Sequence, residues 1–269
     1  MIRCLIVLVL LAGLCTPPAG FARQTDKEAR EERLAGMRRI AGRFTVRVTE
    51  SGERRDLPLL EMPLLRFNDP ARDFHDASLW AWGAQGRPVC LLAMEQYGGQ
   101  WWFELISLSS AKFTAEAETL KWTPQSPGLE MQAVPDAPRP AGEAVRRLPQ
   151  MRELLSGLEA YEVDRLGKRF ELRLMAKPLY RYSDAEHELC DGAIFAFSYG
   201  TNPELLAIVE AVGETAESAE WRIGFARCGA AEPHVLLNEE ELFRLPYAGR
   251  TTANDPYWNF PFKFPAGDK

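Results

Sequence analysis

Short runs of alternating apolar and polar residues make up most of the chain, but two stretches repeat apolar residues at helical spacing instead. Leu34, Met37 and Ile40 form one such stripe, and Leu148 to Leu158 contains the other. This spacing predicts two amphipathic helices, the second over residues 143–158. Alternation and tight-turn signals predict strands after each helix. The predicted strands lie near residues 43–49, 57–67, 77–83, 89–96, 101–108, 169–175, 178–183, 192–199, 204–212 and 221–228.

The two groups of strands are related by an internal duplication. Residues 172–210 align without a gap to residues 57–95, and eleven of the 39 positions are identical. The two helical stripes align as well, so the duplication includes the helix. Pro203-Glu204 could also begin a helix over residues 204–212, but the alignment with residues 89–96 favours a strand.

The fold class predicted from this pattern is α+β. We expect two tandem repeats, each an amphipathic helix followed by a four- to five-stranded antiparallel sheet that the helix covers. Six prolines in 26 residues, from Pro124 to Pro149, predict an irregular linker before the second helix. The predicted organisation is a signal peptide over 1–22, a first repeat over 23–110, a Pro-rich linker over 111–141, a second repeat over 142–245 and an aromatic tail over 246–269.

The N-terminus predicts export. Arg3 precedes the apolar run 6–14, which is too short to span a bilayer, and we expect cleavage after Ala22. Leu14 before Cys15 is a poor match to the small residue that lipoprotein processing prefers, so a periplasmic or secreted protein without a lipid anchor is expected. Loss of the leader removes one arginine and changes the net charge from −6 to −7. An acidic chain without a basic cluster argues against nucleic-acid binding.

Three cysteines remain after the leader, which permits one disulfide and one free thiol. Cys190 and Cys228 both flank predicted strands of the second repeat and are the candidate pair, whereas Cys90 lies in an apolar run and is interpreted as a buried hydrophobe. The chain contains no Gly-rich phosphate loop, nucleophile elbow or paired Cys-x-x-Cys, and its three histidines lack metal-ligand spacing. The sequence therefore predicts no cofactor, no metal site and no catalytic residue.

Candidate ligand-binding residues come from two patterns. The duplication retains an arginine and an aspartate, Arg66/Arg181 and Asp76/Asp191, which could grip an anionic group or could form structural ion pairs. The second pattern is aromatic. Trp80 and Trp82 share one face of a strand, where they either stack on a ligand or form the core beneath the helix. Trp102 and Trp221 align as equivalents between the repeats if a five-residue acidic insertion is allowed, and they complete the candidate set.

Three segments of the second repeat resemble an uncharacterised family of exported planctomycete proteins. They are Pro178-Leu179-Tyr180-Arg181-Tyr182, the run from Asp191 to Phe197, and Gly200-Thr201-Asn202-Pro203-Glu204-Leu205-Leu206. This resemblance covers most of the mature chain and implies export. The first helix and the Asp76-x-x-Leu79-Trp80-x-Trp82 strand also resemble lipoprotein-carrier folds of the periplasm, by analogy of fold alone.

These observations lead to one principal functional hypothesis and two alternatives. The principal one is a non-catalytic exported protein that binds a protein partner or small ligand outside the cytoplasm, or serves a structural role there. The first alternative is a periplasmic carrier of a hydrophobic ligand. The second is a hydrolase of envelope polymers, which would require two retained acids roughly 5–10 Å apart in one cleft.

Overall fold

The computed structural model describes residues 19–50, 52–69, 74–97, 100–215 and 217–262. The chain divides into two units at Gly36, and the described part of the first unit, residues 19–36, is helical. The strands of the described ranges all belong to the second unit, Met37–Lys269. Residues 1–18 of the predicted signal peptide lie outside the described residues. Within the described ranges, no helix has both the length and the apolar character needed to cross a membrane.

Among the described residues, the elements fall into two halves, each with one α-helix and nine strands. The first half contains α1 (Ala19–Ala41), β1 (Thr45–Glu50), β2 (Glu53–Leu57), β3 (Leu65–Asp69), β4 (Phe74–Trp82), β5 (Cys90–Tyr97), β6 (Gln100–Ser107), β7 (Phe113–Ala117), β8 (Leu120–Trp122) and β9 (Met131–Ala133). The second half contains α2 (Ala144–Ser156), β10 (Leu158–Val163), β11 (Arg169–Leu174), β12 (Tyr180–Asp184), β13 (Leu189–Tyr199), β14 (Asn202–Val212), β15 (Glu220–Arg227), β16 (Glu232–Leu237), β17 (Glu240–Arg244) and β18 (Tyr257–Phe262).

The strands form three antiparallel sheets. Their orders are β2-β1-β7-β8, then β18-β6-β5-β4-β3, and a nine-stranded sheet β17-β16-β10-β11-β13-β14-β15-β9 in which β12 also pairs with β13. The pairing pattern of the first half recurs in the second, including its register: Leu65 faces Leu79, and Tyr180 faces Ile194. The ninth strands are exchanged between the halves. β9 adds to β15 of the second half, and β18 adds to β6 of the first.

Two kinds of core account for the continuous apolar runs of the central strands. One core lies between the sheets of the two halves, where Leu79 and Leu91 meet Ile194 and Leu206. A separate core lies on the outer face of the second half, beneath α2, and includes Met151 and Leu155. Because strands such as β13 and β14 are covered on both faces, they have no alternating polar side.

The predicted α+β class is wrong. Strands hold 50% of the residues and helices only 14%, so the fold is β-rich, with large curled antiparallel sheets rather than two helix-plus-sheet repeats. The reason is that strands β7, β8 and β9 lie in the segment predicted to be irregular, and that each half takes its ninth strand from the other. The strand Leu158–Val163 also follows directly on α2, where the helical stripe masked it.

The structure also differs from the sequence interpretation at the predicted linker and at the candidate disulfide. The segment predicted as a linker, residues 111–141, contains β7, β8 and β9. Cys190 and Cys228 are free thiols, not a disulfide. The reason is geometric: Cys190 packs against the outer core and donates to the carbonyl of Gly213 at 3.1 Å, whereas Cys228 is buried in the core between the halves.

Candidate ligand-binding groove

The duplicated arginines and aspartates form one ion pair in each half. Arg66 Nε donates to Asp76 Oδ1 at 2.7 Å, and Arg181 Nε donates to Asp191 Oδ1 at 2.9 Å. A second guanidinium nitrogen of each arginine contacts the other carboxylate oxygen, so both pairs are bidentate. Both aspartates are buried. The geometry ties the third strand of each half to the fourth.

Asp191 also receives a second arginine. Arg147 of α2 is buried and its Nε donates to Asp191 Oδ2 at 2.8 Å, while its Nη1 donates to the carbonyls of Ala141 and Gly142. The hydrogen bond from Arg181 to Asp191 raises the pKa of that guanidinium. The carboxylate therefore anchors the start of α2 to β13, which is a structural task.

Glu210 of β14, which aligns with Glu95 of the first half, lies between the halves. Glu210 Oε1 accepts from Arg87 of the first half at 2.9 Å and from the Tyr182 hydroxyl at 2.8 Å. Burial, together with the Glu210 carboxylate, raises the pKa of Tyr182 well above its ordinary value. The contacts found for Asp76, Asp191 and Glu210 thus hold strands and halves together.

The candidate tryptophans are divided between core and surface. Trp80 and Trp82 are each 1% exposed, and Trp82 packs against Phe44, so neither can stack on a ligand at the surface. Trp221 is also buried and donates to the carbonyl of Pro138 at 2.9 Å beside a small cavity of about 380 Å³. Trp102 is partly buried. Strand register makes Trp221 the equivalent of Trp101 rather than Trp102. Trp221 faces Ala211 and Trp101 faces Gln96, and Gln96 and Ala211 are themselves equivalent at the offset of 115.

A groove of about 710 Å³ lies elsewhere, mainly on the second half, and Ile106 and Ser107 at the end of β6 also line it. Its floor is β15 from Ile223 to Arg227, together with Gln132 to Pro135 in and after β9. Leu154 and Leu158 border it at the end of α2, and the stretch from Leu242 to Ala248 forms the opposite wall. This volume falls within the roughly 300–1,000 Å³ of small-molecule sites, and the lining is mostly apolar. None of the eight predicted ligand-binding residues lines it.

Apolar side chains are unusually exposed along this groove. Among the described residues, six large apolar side chains are exposed, and three of them line it: Leu237 at 38%, Leu242 at 45% and Tyr247 at 42%. Singly exposed apolar residues are ordinary, but a cluster around a concave surface marks an interaction site.

The corresponding place in the first half is filled. There β18 supplies aromatic side chains: Phe262 stacks on Phe103 at 4.7 Å, and Phe260 meets the same ring edge-on at 5.9 Å. The matching strand of the second half is β9. Ile223 of β15 is the counterpart of Phe103 of β6. Gln132 faces Ile223 as Phe260 faces Phe103, so the exposed Gln132 takes the place of Phe260. The groove is open because its ninth strand lacks aromatic side chains.

The groove also contains one buried cation. Arg227 is 8% exposed, and its guanidinium donates to the Pro246 carbonyl at 2.5 Å and lies 5.4 Å from the Tyr257 ring. Burial lowers the pKa of this guanidinium. In the described ranges no carboxylate forms an ion pair with it within 4.0 Å. The carboxylates of Glu104 and Glu232 act in the opposite direction on this pKa, so they balance part of the arginine's charge.

Sequence reasoning did not find the groove. Its residues are ordinary apolar positions of β15, β17 and the end of α2, and they acquire meaning only through the strand pairing. One signal was present: the aromatic tail has no aromatic equivalent near residues 131–134. The structure shows no cluster of three or more His, Cys, Asp or Glu side chains suited to a metal ion among the residues that it describes. No protein-family model, curated protein or solved structure matches the chain.

Proposed function

We propose that this is a binding protein whose ligand occupies the groove of the second half. The observation that carries the proposal is the difference between the halves: the same seam is packed with Phe260 and Phe262 in the first half and is open in the second. Burying the apolar walls of the groove would contribute about 25 cal/mol for each Å² removed from water. The ligand is accordingly an apolar one.

The polar group in the groove adds a second requirement. Arg227 is buried beside the groove and held by the Pro246 carbonyl and the Tyr257 ring, and a hydrogen bond from a buried guanidinium to an anion is stronger than one in water. A ligand that combines an apolar body with a carboxylate or a similar anion would match both the apolar walls and Arg227. The leader predicted over residues 1–22 would place this binding outside the cytoplasm, and that part of the proposal rests on the sequence.

No observation favours the hydrolase alternative. Asp76 and Asp191 are held in bidentate ion pairs, and neither lines the groove. The carrier hypothesis and the present proposal both involve an apolar ligand, but they place that ligand at different sites. The space beneath α2 is packed by Met151 and Leu155, so the ligand would lie at the open seam instead of beneath the helix.

Binding of two fluorescent dyes tests the proposal: anionic 1-anilinonaphthalene-8-sulfonate and an uncharged naphthylamine. Leu242→Glu places a charge on the groove wall and should weaken both dyes at least tenfold. Met62→Glu is the matched control, because Met62 is an exposed apolar residue outside the groove. Arg227→Gln should weaken only the anionic dye. Equal binding by wild type, Leu242→Glu and Met62→Glu would refute the proposed site.

A further inference from the structure

We infer that the ligand of the groove is an unbranched fatty acid, which lies lengthwise with its carboxylate beside Arg227 and its alkyl chain directed toward Leu158 at the end of α2. This inference rests on the proposed function and names the ligand class and its orientation at the same site. Its basis is the uneven distribution of charge and apolar surface along the groove.

The strands that form the wall and floor define two ends of the groove. At one end, directly after α2, Leu158 of β10 pairs with Leu237 of β16. At the other end the backbone N–H of Leu245 donates to the Pro233 carbonyl at 3.3 Å, and Arg227 donates to the carbonyl of the next wall residue. Pro233 and Leu237 are four residues apart in β16, so about 13 Å separates the two ends.

The end next to α2 is lined by apolar side chains. They are those of Val134, Pro135, Leu154, Leu158, Leu237 and Leu242. Leu237 and Leu242 are exposed, so a ligand can still cover much of their surface. Each methylene group that leaves water here raises the affinity about fourfold. An extended alkyl chain can reach this end from Arg227, whereas a compact ring system would leave one end unfilled.

The charged residues of the lining lie away from this apolar end, and they comprise three arginines and two acids. Arg227 is buried and Arg244 is already in an ion pair. Arg250 is exposed and has no carboxylate within 4.0 Å in the part of the chain that the structure describes. Asp255 accepts hydrogen bonds within its own turn, and Glu130 is exposed. A carboxylate, with one negative charge, matches this small excess of positive charge better than a doubly charged phosphate.

Isothermal titration calorimetry on the full-length protein tests the inference without the use of a dye. The ligands are saturated fatty acids of increasing chain length, together with the uncharged alkanol and the alkyl phosphate of each length. The affinity of the fatty acids should rise about fourfold for each added methylene until the chain fills the apolar end, and then stop rising. At equal length the fatty acid should bind at least tenfold more tightly than the alkanol, and the phosphate no more tightly than the fatty acid.

Three variants locate the two parts of the ligand. Arg250→Gln, at an exposed position that the fold tolerates, should narrow the difference between fatty acid and alkanol, and Arg227→Gln/Arg250→Gln should abolish it. Leu237→Glu should weaken long chains at least tenfold and leave short chains unchanged, because short chains do not reach the end next to α2. Arg165→Gln is the matched control, at an exposed arginine outside the groove, and should bind every ligand as wild type does.

Equal affinities of fatty acid and alkanol in wild type would overturn the inference, and so would tighter binding of the phosphate. An affinity that ignores chain length, or that rises without a plateau, would equally contradict an alkyl chain held in a groove of fixed length. An equal effect of Leu237→Glu on short and long chains would refute the orientation. If the dyes still respond to Leu242→Glu in any of these cases, the proposed function survives and only the fatty acid is excluded.

Discussion

Trp122 and Phe243 lie at the same position in the strand pairing of the two halves, but only Trp122 is completely buried. Trp122 faces Ala115, and Phe243 faces Val235. Trp122 packs edge-on against Phe113 at 5.1 Å and donates through its indole nitrogen to the Asp255 carbonyl at 2.8 Å. Phe243 remains partly exposed in the groove. One fold thus has a closed seam and an open one, and the open seam is where we place binding.

The first prediction concerns the buried carboxylate that two arginines share. Asp191→Ala leaves Arg147 without its carboxylate in a buried site, and we expect the free energy of unfolding to fall by about 3–5 kcal/mol. Urea unfolding followed by circular dichroism measures this change. Glu171→Ala, which breaks the exposed pair with Arg169, is the control and should have little effect. A loss below about 1 kcal/mol for Asp191→Ala would contradict the anchoring role of this carboxylate.

The second prediction compares the exchanged ninth strands. Phe262→Ala removes the ring stacked on Phe103 and should cost about 1–3 kcal/mol, less than the loss of a fully buried phenylalanine, because Phe262 is partly exposed. Gln132→Ala changes an exposed position of the other ninth strand, and unfolding should be almost unaffected. Thermal unfolding of the two variants under one set of conditions provides the comparison. Equal losses would mean that the seams do not differ as described.

The third prediction concerns alkaline pH. The pKa of Tyr182 is raised well above its ordinary 10.0 by burial and by Glu210, so the native state retains a proton that the unfolded chain releases near pH 10. Unfolding is then coupled to proton release. The stability contributed by this hydroxyl is complete below about pH 10 and is lost as the pH rises toward the native pKa.

Urea midpoints measured from pH 8 to pH 11 test this dependence. Tyr182→Phe should show a shallower decline than wild type above pH 10, although Tyr257, whose pKa burial and Glu104 raise in the same way, retains part of the slope. Tyr247→Phe is the control at an exposed tyrosine and should follow wild type. A steeper decline for Tyr182→Phe would reverse the predicted sign.

The central strands could be predicted from sequence because their signals are local. Asn202–Val212 is a strand, as its alignment with residues 89–96 indicates, although its cap-like start also suited a helix. Phe113–Ala117 alternates in burial, but it lies just before the proline-rich stretch that begins at Pro124, which favours the prediction of an irregular linker. β9 has only three residues and carries no periodicity that could be recognised. The exchange of β9 and β18 depends on pairing between distant residues, which local patterns do not encode.

In the candidate site, too, some features could be predicted from local sequence and others depend on pairing between distant residues. Residue types that recur within the chain at an offset of 115 single out Arg66/Asp76 and Arg181/Asp191, and these do pair in space, but as structural contacts with buried aspartates. The duplication emphasises what the halves share. The groove instead arises where they differ, at Gln132 against Phe260, and this comparison needs the strand register.

The most direct test is dye binding by Gln132→Phe/Val134→Phe, which places aromatic side chains in the groove. Wild type and the control Gln96→Phe, at an exposed strand position outside the groove, are measured beside it. We predict that wild type and Gln96→Phe bind the uncharged naphthylamine equally. The filled variant should bind it at least tenfold more weakly while keeping or raising its melting temperature, because the new rings occupy the open seam as Phe260 and Phe262 occupy the closed one. Undiminished dye binding by a correctly folded filled variant would contradict the claim that this groove is the binding site.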